Sequence, residues 1–221
     1  MNHQLVLITG SCPGAGKTTL MNELNERMTE REVRHDTLFE SDERWQSLTG
    51  RLVGDLLSDA PDRVGSLLFA ARSVVDSLVR TDSTLVVDSM TLMPAFTYLV
   101  GHQSVETIES YVTDLDTILK SASPLLIYLR CDVRIGWERA IKRSGDVWLN
   151  NFLTRLHRGR FVMRPSDIGS SVESAIKFYE DVDALGRSVL ANRWTGRMVE
   201  LETTIDQEHA RQQILGELGL L

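Results

Sequence analysis

The chain has 221 residues, 42% of them hydrophobic, and carries 24 Lys and Arg against 31 Asp and Glu for a net charge of −7. That length and composition suffice for a sizeable core in one domain over 1–221, while the acidic balance excludes a general nucleic-acid binder, whose affinity rests on neutralising phosphates. No apolar run is long enough for a membrane-spanning helix, and two cysteines supply neither a disulfide framework nor a zinc site.

The first predicted strand, 4–9, starts too early to leave room for a signal peptide, and the cysteine usage fits a reducing cytoplasm. Directly after this strand comes Thr9-Gly-Ser-Cys-Pro-Gly-Ala-Gly-Lys-Thr-Thr19, followed by a helical pattern at Leu20, Leu24 and Met28. Strand, glycine-rich turn, Lys-Thr and helix together form the context of a phosphate-binding loop. Glycines allow backbone amides to turn inward around a polyphosphate, and the helix points its positive end at the same anion. Pro13, Gly14, Ala15, Gly16, Lys17, Thr18 and Thr19 are therefore the expected nucleotide-binding residues. Lys17 is placed to reach the β- and γ-phosphates, and the Thr18 hydroxyl to sit on Mg²⁺. The usual spacing G-x-x-x-x-G-K-[ST] departs here at its start: Ser11 stands at the first glycine position and Gly10 comes one residue early. Cys12 reads as a small residue tolerated in the loop rather than as a reactive thiol.

The second predicted strand, 34–39, runs into Glu40-Ser-Asp-Glu-Arg-Trp45. A carboxylate at that strand end, near the γ-phosphate, is placed to accept a proton from an attacking hydroxyl, which assigns Glu40 as the base. Trp45 is either core or a flat wall against a ring. A helix follows with the stripe Val64, Leu67, Leu68, Ala71, Val75 and Leu78. The third strand, 84–88, ends in Asp88, a pattern that sets a carboxylate beside Mg²⁺. Val105, Ile108, Val112, Leu115 and Leu119 mark the next helix, and 125–130 the fourth strand.

Residues 130–164 then carry nine basic side chains and only Asp132, Glu138 and Asp146 as acids, giving +6 against −13 for the rest of the chain. Arg139 and Arg143 are i, i+4 and share a helix face. The segment at about 134–165 reads as a lid whose guanidinium groups neutralise phosphate charge. A helix with Val172, Ile176, Tyr179 and Val182 follows, then a fifth strand at 197–203, and Ala210, Ile214, Leu215 and Leu218 mark the closing helix. Arg134 or Arg139, with the turn at Thr203-Thr204, is expected beside the base of the nucleotide. Short buried strands alternating with helices imply a parallel sheet covered on both faces, with ligands at the carboxyl ends of the strands.

Taken together, these residues resemble the thymidylate kinase and deoxynucleoside kinase group of P-loop kinases. Leu67-Leu-Phe-Ala-Ala-Arg-Ser-Val-Val75 is similar to the thymidylate kinase helix L-L-F-A-A-D-R-A. Leu85-Val-Val-Asp88 is similar to that family's strand ending in Asp-Arg, and Leu126-Ile-Tyr-Leu-Arg130 with Trp137-Glu-Arg-Ala-Ile-Lys-Arg143 to its fourth strand and the start of its lid. Glu40 and Trp45 match the deoxynucleoside kinase pattern E-P-V-x-[KR]-W, without its proline. The resemblance implies an α/β P-loop NTPase three-layer sandwich with a five-stranded parallel sheet, flanking helices and a helical basic lid. It also implies a homodimer, and substrate contacts from Glu40, Trp45, Phe69 and Arg72. Two positions depart from it: Ser89 follows Asp88 where the group has Arg, and Arg72 stands where the helix motif has Asp.

The resulting expectation is an ATP- and Mg²⁺-dependent phosphotransferase acting on a hydroxyl of a nucleoside-like or other small metabolite. Lys17, Glu40, Asp88, Arg139 and Arg143 are its catalytic set, and Thr18 and Asp88 its metal contacts. The alternatives are a nucleoside monophosphate acceptor with Arg72 in place of the missing Arg, a nucleotide-binding switch without catalysis, and a nucleic-acid end kinase. The acidity of the chain disfavours the last.

Overall fold

A computed structural model describes residues 4–39, 42–44, 63–78, 83–88, 92, 96, 104–157 and 171–221. Five strands alternate with helices in it. In chain order these are β1 (Leu5–Gly10), α1 (Lys17–Glu30), β2 (His35–Leu38), α2 (Arg63–Leu78), β3 (Thr84–Asp88), α3 (Val105–Leu119), β4 (Leu125–Arg130), α4 (Val133–His157), α5 (Val172–Arg193), β5 (Arg197–Glu202) and α6 (Gln207–Glu217). The strands lie within one residue of the ranges read from the sequence.

All four strand pairings are parallel, in the order β2-β3-β1-β4-β5. The composition of each strand follows its place in that order. β1 is central and wholly buried, as is its neighbour β3, and both are apolar almost throughout. The edge strands β2 and β5 mix exposed and buried residues and carry His35, Asp36, Arg197, Glu200 and Glu202. From β1 the chain moves toward one edge and later crosses it to reach the other. The order thus reverses at β1, and in such sheets the crevice beyond that strand end is where ligands bind.

Helix periodicity turns into burial as expected. Leu20, Leu24 and Met28 of α1, Leu67, Ala71 and Leu78 of α2, and Ile214 and Leu215 of α6 are all in the core. Val105, read as part of the α3 stripe, is exposed, because it occupies the first position of that helix. The segment read from the sequence as a lid differs from a simple basic helix: α4 is broken at Gly145, whose φ of 74° and ψ of −180° lie outside the helical region. Residues 158–165, the rest of the expected lid, lie outside the described residues.

Side chains close most helix starts. Ser104 caps α3, Ser171 caps α5 and Asp206 caps α6, each accepting from a first-turn amide. One buried carboxylate ties two elements together. Asp116 of α3 accepts from Thr195 N at 3.1 Å, Gly196 N at 3.2 Å and Thr195 Oγ1 at 2.6 Å, fixing the turn between α5 and β5. Asp116→Ala orphans all three donors and is expected to cost about 3 kcal/mol, the scale of hydrogen bonds to a charged group. Asp116→Asn, which keeps an acceptor, is expected to cost less. Urea unfolding midpoints of the two variants check the order.

Candidate functional site

The glycine-rich loop leaves β1 at the centre of the sheet, and its departure from the usual spacing has a physical reason. A β-carbon on Gly10 would lie 2.7 Å from the Leu129 carbonyl oxygen, so this position tolerates no side chain. Ser11 is completely buried. Its hydroxyl donates to the Cys131 carbonyl at 3.0 Å and accepts from the Cys131 amide at 3.0 Å, and its own amide donates to Leu129 O at 3.1 Å. Glycine at 10 and serine at 11 thus bind the start of the loop to β4. Further along, Gly14 and Gly16 have φ of 81° and 103°, left-handed values that glycine adopts without strain. Gly16 stands at the cap position of α1 and supplies no side-chain hydrogen bond, so the first amides of α1 have no capping group. Lys17 lies back across the loop, its Nζ donating to Cys12 O at 3.3 Å, while Thr18 and Thr19 are exposed in the first turn.

Asp88 ends β3 beside this loop, paired in register with Ile8 of β1. The residue is only 6% exposed, and among the described residues its Oδ1 has no hydrogen-bond partner; the Thr9 hydroxyl is buried and unpartnered as well. A buried carboxylate oxygen without a donor is costly unless a cation or water meets it. Asp88 Oδ1 is therefore an atom that a cation could meet. Among the described residues no group of three or more His, Cys, Asp or Glu could hold a metal ion.

The end of β5 and the start of α4 complete the floor. Thr203 Oγ1 donates to Ala15 O at 3.0 Å, and Asp132 N donates to Thr204 Oγ1 at 2.8 Å. Asp132 also caps α4, its Oδ1 accepting from Ile135 N at 3.0 Å. Arg139 joins the two turns: its guanidinium donates to Thr203 O at 2.9 Å and to Thr204 O at 2.6 Å. Arg139 and the Thr203-Thr204 turn, both expected beside the base of a nucleotide, are in contact with each other, and the contact engages this arginine with backbone carbonyls. Arg143 is exposed on the same helix.

The basic island is less free than its charge count suggests. Arg134 forms a bidentate pair with Glu173, 2.7 Å on each side, and Arg130 pairs with Glu202 and Glu200. These partners lie outside the island. Both pairs are well exposed and contribute little to stability. Lys142 and Arg143 form no ion pair among the described residues.

Phe69 and Arg72 are i, i+3 neighbours on the exposed side of α2, Phe69 being 56% exposed. Glu40 and Trp45 lie outside the described residues, as do Ser89 and the side chains of Arg155, Arg158, Arg160 and Arg164.

One residue of the site escaped sequence reasoning. Gly136, in the first turn of α4, packs directly on the loop: a β-carbon there would lie 2.3 Å from Cys12 Sγ and 2.9 Å from Pro13 O. From the other side, a β-carbon on Gly14 would lie 2.0 Å from Gly136 O. The available signal was a lone glycine inside a helical pattern, which usually has a packing reason. Among the described residues, no helix is long and apolar enough to cross a membrane. No protein-family model matches the chain, and no curated protein aligns with it significantly.

Proposed function

We propose that the protein is an ATP- and Mg²⁺-dependent phosphotransferase that moves the γ-phosphoryl group to a hydroxyl of a nucleoside-like or other small metabolite. The observation that carries this reading is the loop itself. Two left-handed glycines and an uncapped helix start lie at the carboxyl end of the central strand, where the strand order reverses. The resemblance to the thymidylate kinase and deoxynucleoside kinase group supports the same reading.

In this mechanism the loop amides and Lys17 hold the phosphate tail and orient it for in-line attack. Lys17 exchanges its bond to Cys12 O for a phosphate oxygen. Thr18 and Asp88 would hold a Mg²⁺ ion, which would supply charge neutralisation at the phosphates. Glu40 takes the proton of the attacking hydroxyl. Arg143, one turn beyond Arg139, is the lid cation left to meet the developing charge, while Arg139 sets the turn beside the base. A monophosphate acceptor is the second reading, favoured by the exposed cation Arg72 beside Phe69 on α2.

Offering mono- and unphosphorylated acceptors side by side to the purified protein with Mg·ATP tests both readings. Transfer to hydroxyl acceptors alone is the expected result. Glu40→Gln and Asp88→Asn are each expected to lower that transfer by ~10²-fold or more, on the scale of a lost general base or a lost charge contact. Transfer to monophosphates alone favours the second reading. Binding of ATP with no transfer across a broad metabolite panel rejects the phosphotransferase and leaves a nucleotide-binding switch.

A further inference from the structure

The chain's two cysteines meet beneath the phosphate loop. Gly10 pairs with Leu129 across β1 and β4, and two further residues on each side lead to Cys12 and Cys131. Neighbouring strands lie about 4.8 Å apart, inside the range of about 4.4–6.8 Å between α-carbons that a disulfide requires. The Ser11 hydroxyl, bonded to both the amide and the carbonyl of Cys131, ties the two segments together. Both sulfurs surround one point: the position of a Gly136 β-carbon is 2.3 Å from Cys12 Sγ and 3.6 Å from Cys131 Sγ. The glycine leaves the room that the two thiols share. Both residues are buried, and each thiol is the largest influence on the other's proton affinity.

We propose that Cys12 and Cys131 are a redox modification site, closing to a reversible disulfide with a hydroperoxide as oxidant, and that closure weakens the grip of the phosphate loop on its anion. The second half rests on the proposed nucleotide site; the first does not.

The two thiols are differentiated for this chemistry. Cys131 is lowered to about 7, first by the hydrogen bond from Cys12 and then, against the effect of burial, by the Arg139 charge and the hydroxyls of Thr203 and Thr204. Arg139 Nη1 is 3.5 Å from its sulfur. Cys12 is raised by the same hydrogen bond and by burial, so it keeps its proton. Cys131 is accordingly the attacking thiolate and Cys12 the resolving thiol. The Cys131 sulfur attacks one peroxide oxygen. An S–O bond forms as the O–O bond breaks, the sulfur is oxidised to a sulfenic acid, and the departing oxygen leaves as water or alcohol after taking a proton. The Cys12 sulfur then attacks the sulfenic sulfur. The S–S bond forms, the S–O bond breaks, and hydroxide leaves as water with the Cys12 proton. In sum, two thiols and one hydroperoxide give one disulfide, one water and one further water or alcohol.

Closure reaches the phosphates through the Cys12 carbonyl, which accepts from both Lys17 Nζ and Ala15 N. Drawing the two sulfurs to a bond of about 2 Å shifts the residue that carries this carbonyl. Displacement of positioning groups on this scale costs on the order of tenfold or more.

The test treats the folded full-length protein with hydrogen peroxide at pH 7, traps free thiols and maps peptides by mass spectrometry. Expected are joint loss of both thiols, a Cys12–Cys131 cross-linked peptide and full reversal by dithiothreitol. Cys12→Ser should stop at a dimedone-trappable sulfenic acid on Cys131, and Cys131→Ser should leave Cys12 unreactive. Persistence of both thiols, or over-oxidation of wild-type Cys131 with no cross-link, overturns the proposal. Mg·ATP titration of the two redox forms separates the halves. At least tenfold weaker binding after oxidation is expected, and equal binding by both forms rejects the control of the loop. If neither form binds ATP, the nucleotide reading fails while the cross-link stands.

Discussion

Lys17→Ala is expected to lower phosphoryl transfer by ~10²–10³-fold, the range for removing one preorganised donor from a transition state that gathers charge. The reason is geometric. The Lys17 ammonium sits at the first position of α1 and lies back over the loop, bonded to the Cys12 carbonyl, and the proposed mechanism turns it to the terminal phosphate. Stability should change little, because the side chain is only partly buried and makes that single hydrogen bond. Parallel measurements of turnover and of thermal midpoint check the split. A large fall in both would show that Lys17 holds the loop together rather than serving the phosphate. Normal turnover in a folded variant would remove the residue from the mechanism.

The second large effect is at Gly136. Intrinsic preference alone favours Gly136→Ala, since alanine in a helix is more stable than glycine by about 1 kcal/mol. The packing reverses the sign. The new methyl would stand 2.3 Å from Cys12 Sγ, 2.9 Å from Pro13 O and 3.6 Å from Cys131 Sγ. Overpacking of this kind typically costs about 1–3 kcal/mol. The loop must move if the helix does not, so nucleotide affinity should fall together with stability. Gly216→Ala is the control. Its added methyl meets only the tip of the Leu221 side chain, at 3.3 Å, and a flexible tip can give way. Chemical denaturation with and without Mg·ATP should show loss at 136 and none at 216. An unchanged or stabilised Gly136→Ala would mean that α4 and the loop are not in contact.

Much of this molecule was legible in one dimension. Leu5 to Ile8 and Thr84 to Val87 announce buried strands because central parallel strands present both faces to core. The turn after β1 announces itself through its glycines, and Gly14 and Gly16 take the left-handed values that this residue adopts without strain. Asp88 was legible as a strand end from its place after an apolar run. What was not legible depends on partners far away in the chain. The contact of Gly136 with Pro13, the meeting of Cys12 with Cys131, and the use of Ser11 as a tether all arise because β4 lies beside β1. Nothing in the local sequence of either segment encodes that adjacency. For the same reason the arginine cluster looked freer than it is, since Glu173, Glu200 and Glu202 come from later elements.

The strand order also sets a timetable for synthesis. Both neighbours of β1 are late arrivals: Leu5 lies against Leu85 and Val6 against Leu125. At a translation speed of about 5–20 residues per second, the sticky amino-terminal segment waits on the order of ten seconds for its first neighbour to be made. A nascent chain stalled before residue 84 therefore displays Leu5-Val6-Leu7-Ile8 with neither neighbouring strand yet made.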